Sequence, residues 1–393
     1  MQLERIQQAL SDESLAGWLF YDFRQSNPIA YQVLGLPTED MYTRRWFYFI
    51  PVQGTPSAII SAVESHVLRS LPGERRIFRT WQEMQDHLKE LLPPGTRIAM
   101  EYSPRNAIPY MSRVDGGTLE LVRSYGVEVV SSANIAQRFV AQLSDEQVEM
   151  HREAGRRIIA AKDSLFAELS SKLRAGEPLD EYRAQQRFLE LLKQAGVVAS
   201  EAPIVAVNAH ASNPHYVPTA AEHSPIQRGD LILFDFWAHL PGLGAIYADF
   251  TWMAFAGTRA EIPSRQSEIF AIVRRARDAA IAFVHQRLQA GEKVEGAEVD
   301  DVARSIIAEA GYADYFVHRT GHSIGTFEHG NGANIDNYET QDQRILLPNT
   351  CCSIEPGIYL PEFGVRSEVN LLIHERDVEI TGVPVQTEIT TLL

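Results

Sequence analysis

Two carboxylates interrupt strand-like sequence late in the chain: Glu355 in Ser353-Ile354-Glu355-Pro356-Gly357, and Glu368 in Gly364-Val365-Arg366-Ser367-Glu368. Their neighbours, Cys351, Cys352, Ile354 and Ile358 around one and Val365, Val369, Leu371 and Leu372 around the other, are those of buried strands. A buried carboxylate without a partner is strongly destabilising, so each must meet a cation. The local sequence offers too few cations for both. The same stretch opens with Gly321-His322-Ser323-Ile324-Gly325 and passes His329, so a metal ion with further ligands upstream is the expected partner.

At 393 residues the chain exceeds the size at which one core usually keeps growing. Two domains are expected, an N-terminal α/β domain over 1–142 and an α+β domain over 143–393. The 51 acidic against 36 basic residues, a formal charge of −15, argue against a nucleic-acid surface. No segment approaches the roughly 18 to 20 apolar residues of a membrane span, and Met1-Gln2-Leu3-Glu4-Arg5 does not begin a basic and then apolar leader. The expectation is a cytoplasmic protein. Cys351 and Cys352 are adjacent, so they cannot close a loop and should pack as small apolar strand residues.

In the first half, periodicity predicts a helix over Gln2 to Leu10 and strands at Trp18 to Tyr21, Trp46 to Ile50, Ser57 to Ile60 and Arg97 to Met100. Helical patterns cover Trp81 to Leu92 and a stretch after Ala107. Tyr42-Thr43-Arg44-Arg45-Trp46 reads as a solvated charged turn. The boundary is marked by Ser144 and Gln147, a capping-box pair that should start a long helix running through Phe166. Further helices are predicted from Leu179 to near Gly196, over Ser264 to Leu288 and over Val299 to Ala310. Strands are predicted at Ile204 to Val207, Leu231 to Trp237, Ala248 to Phe255, Thr350 to Tyr359 and Arg366 to His374. Helices against a largely antiparallel sheet follow.

The strands ending in Phe234-Asp235 and beginning Ala248-Asp249 flank the turn-rich Pro241-Gly242-Leu243-Gly244. A hairpin centred on Gly242 sets Asp235 opposite Asp249 on one face. Facing carboxylates repel, and such a pair survives by sharing a proton or binding a cation. With His322, Glu355 and Glu368 the set holds four carboxylates and one imidazole, which suits Mn²⁺, Co²⁺ or Zn²⁺ and is rich enough for two bridged cations.

The ordered series Asp235, Asp249, His322, Glu355, Glu368 resembles the M24 metallopeptidases of the pita-bread fold, which include aminopeptidase P, prolidase and methionine aminopeptidase. The likeness runs from Ser144 to Leu393. It implies a pita-bread catalytic domain behind a smaller creatinase-like α/β domain. It also implies two divalent metals, Mn most of all, with Asp249 and Glu368 bridging, Asp235 completing one site, and His322 with Glu355 completing the other. By the same resemblance His215 and His329 contact substrate and stabilise the tetrahedral intermediate, and the protein is a homodimer.

An N-terminal domain of this size fits aminopeptidase P and prolidase better than methionine aminopeptidase, and the full ligand set disfavours metal-free creatinase. The expected substrates are proline-containing peptides, with Glu355 relaying a proton to the leaving nitrogen. Xaa-Pro dipeptides are the preferred class, with longer peptides the aminopeptidase alternative and a non-catalytic binding module a third. His318 and Arg366 share the ligands' loop and strand. They are candidates for substrate binding, although Arg366 could equally balance the carboxylates. Two departures from the family pattern stand out, a longer Asp235 to Asp249 interval and Trp252 where relatives often carry arginine.

Overall fold

The computed structural model describes residues 1–39 and 42–393. The chain divides into two compact units, Met1–Val140 and Ala141–Leu393.

In the first unit six strands, β1 (Gly17–Asp22), β2 (Trp46–Pro51), β3 (Ser57–Ser61), β4 (Glu74–Phe78), β5 (Arg97–Met100) and β6 (Glu128–Ser131), form one mixed sheet in the order β4-β3-β2-β1-β5-β6. Every residue of β1 is buried, because its alternate side chains enter different cores. Trp18 and Phe20 join Ile6, Leu10 and Ile29 on one face, while Leu19 and Tyr21 join Met84, Leu88 and Val122 on the other. Helices over both faces explain the unbroken apolar run. The outer strand β4, Glu-Arg-Arg-Ile-Phe, is mostly exposed and charged, so it shows no strand periodicity in sequence. The helical pattern after Ala107 resolves into a short turn at Pro109–Met111 and a helix at Gly116–Ser124, started by the Asp115 side chain accepting from the Thr118 N–H.

The second unit opens with the helix Asp145–Ala175, capped by the reciprocal Ser144 and Gln147 bonds and ended by Gly176 at φ 68°. Helices Glu181–Gln194, Ser264–Gln289 and Gly296–Glu309 follow. One sheet holds β7 (Ile204–Val207), β8 (Leu231–His239), β9 (Tyr247–Phe255) and the terminal β16 (Thr390–Thr391), in the order β16-β9-β8-β7. A second holds β10 (Ser323–Ile324), β11 (Cys351–Ile354), β14 (Val369–Ile373) and β15 (Val378–Thr381), in the order β10-β11-β14-β15. Strands β12 (Gly357–Leu360) and β13 (Phe363–Arg366) pair only with each other. All these pairings are antiparallel except β16 with β9.

Two expectations need correction. The predicted strands Thr350 to Tyr359 and Arg366 to His374 are each broken, at Glu355-Pro356 and at Ser367-Glu368. Pro356 has no N–H to continue the ladder. The pairs Ile354 with Val369 and Gly357 with Arg366 share one register, so the breaks face each other and Glu355 stands across from Glu368. The β8–β9 hairpin is centred on Leu243, not Gly242, since Leu231 pairs with Phe255 and His239 with Tyr247. Asp235 therefore faces Thr251 and Asp249 faces Trp237, which leaves the two aspartates diagonal neighbours on one face. Cys351 and Cys352 are free, buried strand residues. Among the described residues no helix is long and apolar enough to cross a membrane.

Candidate metal centre

The breaks in β11–β12 and β13–β14 turn Glu355 and Glu368 toward the β8–β9 face that carries Asp235 and Asp249. Asp249, His322 and Glu368, all buried, bring one potential ligand atom each to within 4.8 Å of the others. His322 Nε2 lies 3.5 Å from Asp249 Oδ2 and 3.4 Å from Glu355 Oε1. Its Nδ1 lies 3.1 Å from the Ser323 carbonyl, which places the ring proton there and turns the Nε2 lone pair on the carboxylates. The His322 backbone N–H donates to Ser353 Oγ at 2.9 Å, and that hydroxyl donates to Glu355 Oε1 at 3.0 Å.

Asp235 occupies the flank. Its Oδ2 is ion-paired with Arg366 Nη2, and its Oδ1 lies 3.2 Å from Thr251 Oγ1. The Thr251 hydroxyl accepts from Arg366 Nε at 2.8 Å and donates to Glu368 Oε2 at 2.8 Å. Asn370 clips the main chain of Asp249, accepting from its N–H at 3.0 Å and donating to its carbonyl. Thr251, Ser353 and Asn370 carry no chemistry that a single sequence flags, though Thr251 sits two residues from Asp249 and so on the same face.

The donor set fits divalent cations on an observation independent of the motif. Asp249 Oδ1 and Glu368 Oε1 are buried without a hydrogen-bond partner. Buried carboxylate oxygens are rarely left so, and here both belong to the converging set. Burial, then repulsion from Asp235 for Asp249 and from Asp249 for Glu368, pushes both well above the usual carboxylate range. Asp235 is also raised by burial, against the pull of Arg366. Glu355 goes the other way: burial raises it, but His322, His318 and Arg366 together outweigh that and lower it.

His329 packs edge-on against His322, ring centroids 4.3 Å apart, and burial followed by the nearby His322 lowers its pKa to about 3. Beside it Glu328, passed over in the sequence, is raised to about 7 by burial, with Asp235, Glu201 and Glu355 adding repulsion. His215 is exposed on the segment between β7 and β8, and is close enough to His329 to disfavour protonation there. The structure commits His318 and Arg366 to neighbours. His318 lies 2.6 Å from Tyr359 OH and 2.7 Å from the Arg319 carbonyl, and Arg366, 4% exposed, bonds Asp235, Thr251 and Tyr359. Arg366 thus balances the carboxylates. At Trp252 the cation comes from another element: Lys162 Nζ sits 3.8 Å from the ring centroid.

A sheet-built cluster of buried carboxylates and one histidine, within helices on a largely antiparallel frame, defines a metallohydrolase-type centre. The sequence matches Metallopeptidase family M24 over residues 149–375, and the chain belongs to that family. It is 36% identical over 187 residues to a Xaa-Pro dipeptidase of Lactobacillus helveticus, a match covering 47% of this chain and 46% of that protein, so it spans about half the length of the curated relative. Its fold is similar to a dipeptidase of Mycobacterium ulcerans, at 22% identity and TM-score 0.65 over 100% of this chain and 97% of the other. It is also similar to an X-Pro aminopeptidase of Thermotoga maritima, at 21% identity and TM-score 0.55 over 97% and 99%. The expected pita-bread fold is present.

Proposed function

We propose that this chain hydrolyses Xaa-Pro dipeptides at two divalent metal ions held by Asp235, Asp249, His322, Glu355 and Glu368. The observation that carries the proposal is the convergence of Asp249, His322 and Glu368 with two orphaned carboxylate oxygens among them. When bound, the cations supply Lewis acidity toward a carbonyl and acidify water. Asp249 and Glu368, each with an unengaged oxygen, would be the ligands shared between the cations, and Asp235 and Glu355 would complete the set. Glu355 is the proton relay: its Oε1 accepts from the Ser353 hydroxyl and lies 3.4 Å from His322 Nε2, and its Oε2 lies 4.0 Å from Arg366 Nε, which fixes the carboxylate where it can take a proton from water and pass it to the leaving proline nitrogen. His329, neutral near pH 7, donates a hydrogen bond to the developing oxyanion, and His215, near enough to act on His329, donates a second.

Dipeptide preference is supported by the similarity to the Xaa-Pro dipeptidase of Lactobacillus helveticus. Aminopeptidase action on longer peptides is the second reading, favoured by the full commitment of Arg366, which leaves that arginine closed to a substrate carboxylate. An oxygen-rich set with one imidazole favours manganese over cobalt or zinc. We assign catalysis to residues 143–393, and the assembly to a homodimer, for which light scattering at micromolar concentration should give twice the 44.1 kDa chain mass. Two free buried thiols suit the cytoplasm.

Elemental analysis tests the site: Asp249→Ala and Glu368→Ala should each lose both metals together, and retention of one metal in either variant would reject the bridging assignment. Substrate length is tested by kcat/KM for Leu-Pro against Leu-Pro-Ala with the same metal. Faster cleavage of the tripeptide moves the reading to the aminopeptidase.

A further inference from the structure

Among the buried carboxylates of the second unit outside the metal centre, Glu181 is the one tied to the connection that carries His215. Glu181, at the start of the helix Glu181–Gln194, is fully buried. Its Oε1 accepts from the Val207 N–H at 2.6 Å and lies 3.0 Å from His210 Nδ1. Its Oε2 accepts from the Ser224 N–H at 2.6 Å and from the Tyr216 hydroxyl at 2.7 Å. Four donors satisfy the carboxylate where a metal or an arginine would otherwise be needed. All four come from one stretch, running from Val207 at the end of β7 to Ser224 in the connection that leads to β8.

That connection carries His215. The imidazole is exposed and, among the described residues, its backbone N–H is held by Asn213 Oδ1 alone, at 3.1 Å, so its position depends on what fixes its neighbours. Tyr216 is the next residue, and its ring packs against His210 at a tilt of 33° with centroids 4.2 Å apart. The other side is seated on the hairpin that follows Glu355: the Ser212 hydroxyl donates to the Leu360 carbonyl, and a Cβ on Gly364 would lie 1.8 Å from the Ala211 carbonyl oxygen. Removing the carboxylate would leave the buried Val207 N–H and the part-buried Ser224 N–H without their acceptor and free the Tyr216 hydroxyl beside His215.

We infer that Glu181 is a positioning residue, holding His215 over the metal centre through Tyr216 and His210. The inference rests on the role proposed for His215, and its consequence is specific: a change at Glu181 should act on turnover only while His215 is present. A merely structural carboxylate would cost the same with or without that histidine.

The test uses the full chain, with NMR on protein loaded with diamagnetic Zn²⁺ and kinetics on protein loaded with Mn²⁺. In protein labelled at histidine Cε1, the His215 resonance is identified by its loss in His215→Ala. Glu181→Gln and Tyr216→Phe should both shift or broaden that resonance while leaving buried His151 unchanged, and Tyr216→Phe, which removes one hydroxyl, keeps the test open if Glu181→Gln does not fold. With Leu-Pro, each single variant should lower kcat about tenfold and change KM less than about twofold, whereas adding either to His215→Ala should cost less than about twofold. An unchanged His215 resonance in both variants, or an undiminished loss in the His215→Ala background, overturns the inference. A shifted resonance in a protein that fails to cleave Leu-Pro upholds the positioning and rejects the reaction instead.

Discussion

At the scale of single residues the metal centre depends on Thr251, a side chain with no chemistry of its own. One hydroxyl joins Arg366, Asp235 and Glu368, so it sets the angle of two carboxylates and spaces the guanidinium from the cluster. Thr251→Val keeps the shape and removes the hydroxyl. Metal affinity should fall about 10- to 100-fold, the usual range for losing a group that orients a ligand. Isothermal titration with Mn²⁺ measures it, and unchanged affinity would show that Arg366 alone holds Asp235. Glu328 teaches a related lesson, because its neighbour His329 drew attention in the sequence while the carboxylate that faces the cluster did not.

Among the elements, the ligand-bearing segments are pressed together by glycines that admit no side chain. A Cβ on Gly321 would lie 2.0 Å from the Ser353 carbonyl oxygen, between the segment carrying His322 and the strand leading to Glu355. Those segments are joined by the Ser353 N–H to the His322 carbonyl at 2.8 Å and by the Glu355 N–H to the Thr320 carbonyl at 2.7 Å. Gly321→Ala must push them apart. The expected cost is about 1–3 kcal/mol of stability, as for other overpacked sites, together with weaker metal retention on dialysis. A variant that melts like the parent and keeps its metal would mean the ladder yields without moving His322.

For the molecule as a whole, the first unit has a polar core of its own. Glu101 is fully buried and accepts from Trp18 Nε1 at 2.6 Å, Asn27 Nδ2 at 2.7 Å and Ser132 Oγ at 3.2 Å. Burial nevertheless raises its pKa to about 7, against the lowering effect of those donors. The folded chain therefore holds a proton here that the unfolded chain, near pKa 4.5, has released. Stability from this group is complete below about pH 4.5 and is lost as pH rises to about 7, by on the order of 3 kcal/mol. Amide exchange of Gly17–Asp22 and Arg97–Met100 should quicken across that window beyond its chemical pH dependence. Glu101→Gln should abolish the excess, although the amide, facing the Asn27 donor, costs about 1–3 kcal/mol at low pH.

What the sequence determined by itself was local. Apolar periodicity placed the helix from Asp145 and the strands β1, β2, β5, β7, β8 and β9, because each buries one face or both and so writes its pattern into the order of residues. Carboxylates in apolar surroundings marked Glu355 and Glu368, because burying a charge is too costly to be incidental. The outer strand β4 was hidden by its solvent-facing charges, and the Glu355-Pro356 break was smoothed over because both halves are apolar. Tertiary structure alone decided which oxygens of Asp249 and Glu368 remain unengaged, that Arg366 serves Asp235, and that Glu181 holds the connection carrying His215. Each of those facts is a meeting of residues far apart in the chain, settled by hairpin register and by which hydrogen-bond partner lies within reach, and neither quantity is written in any single segment.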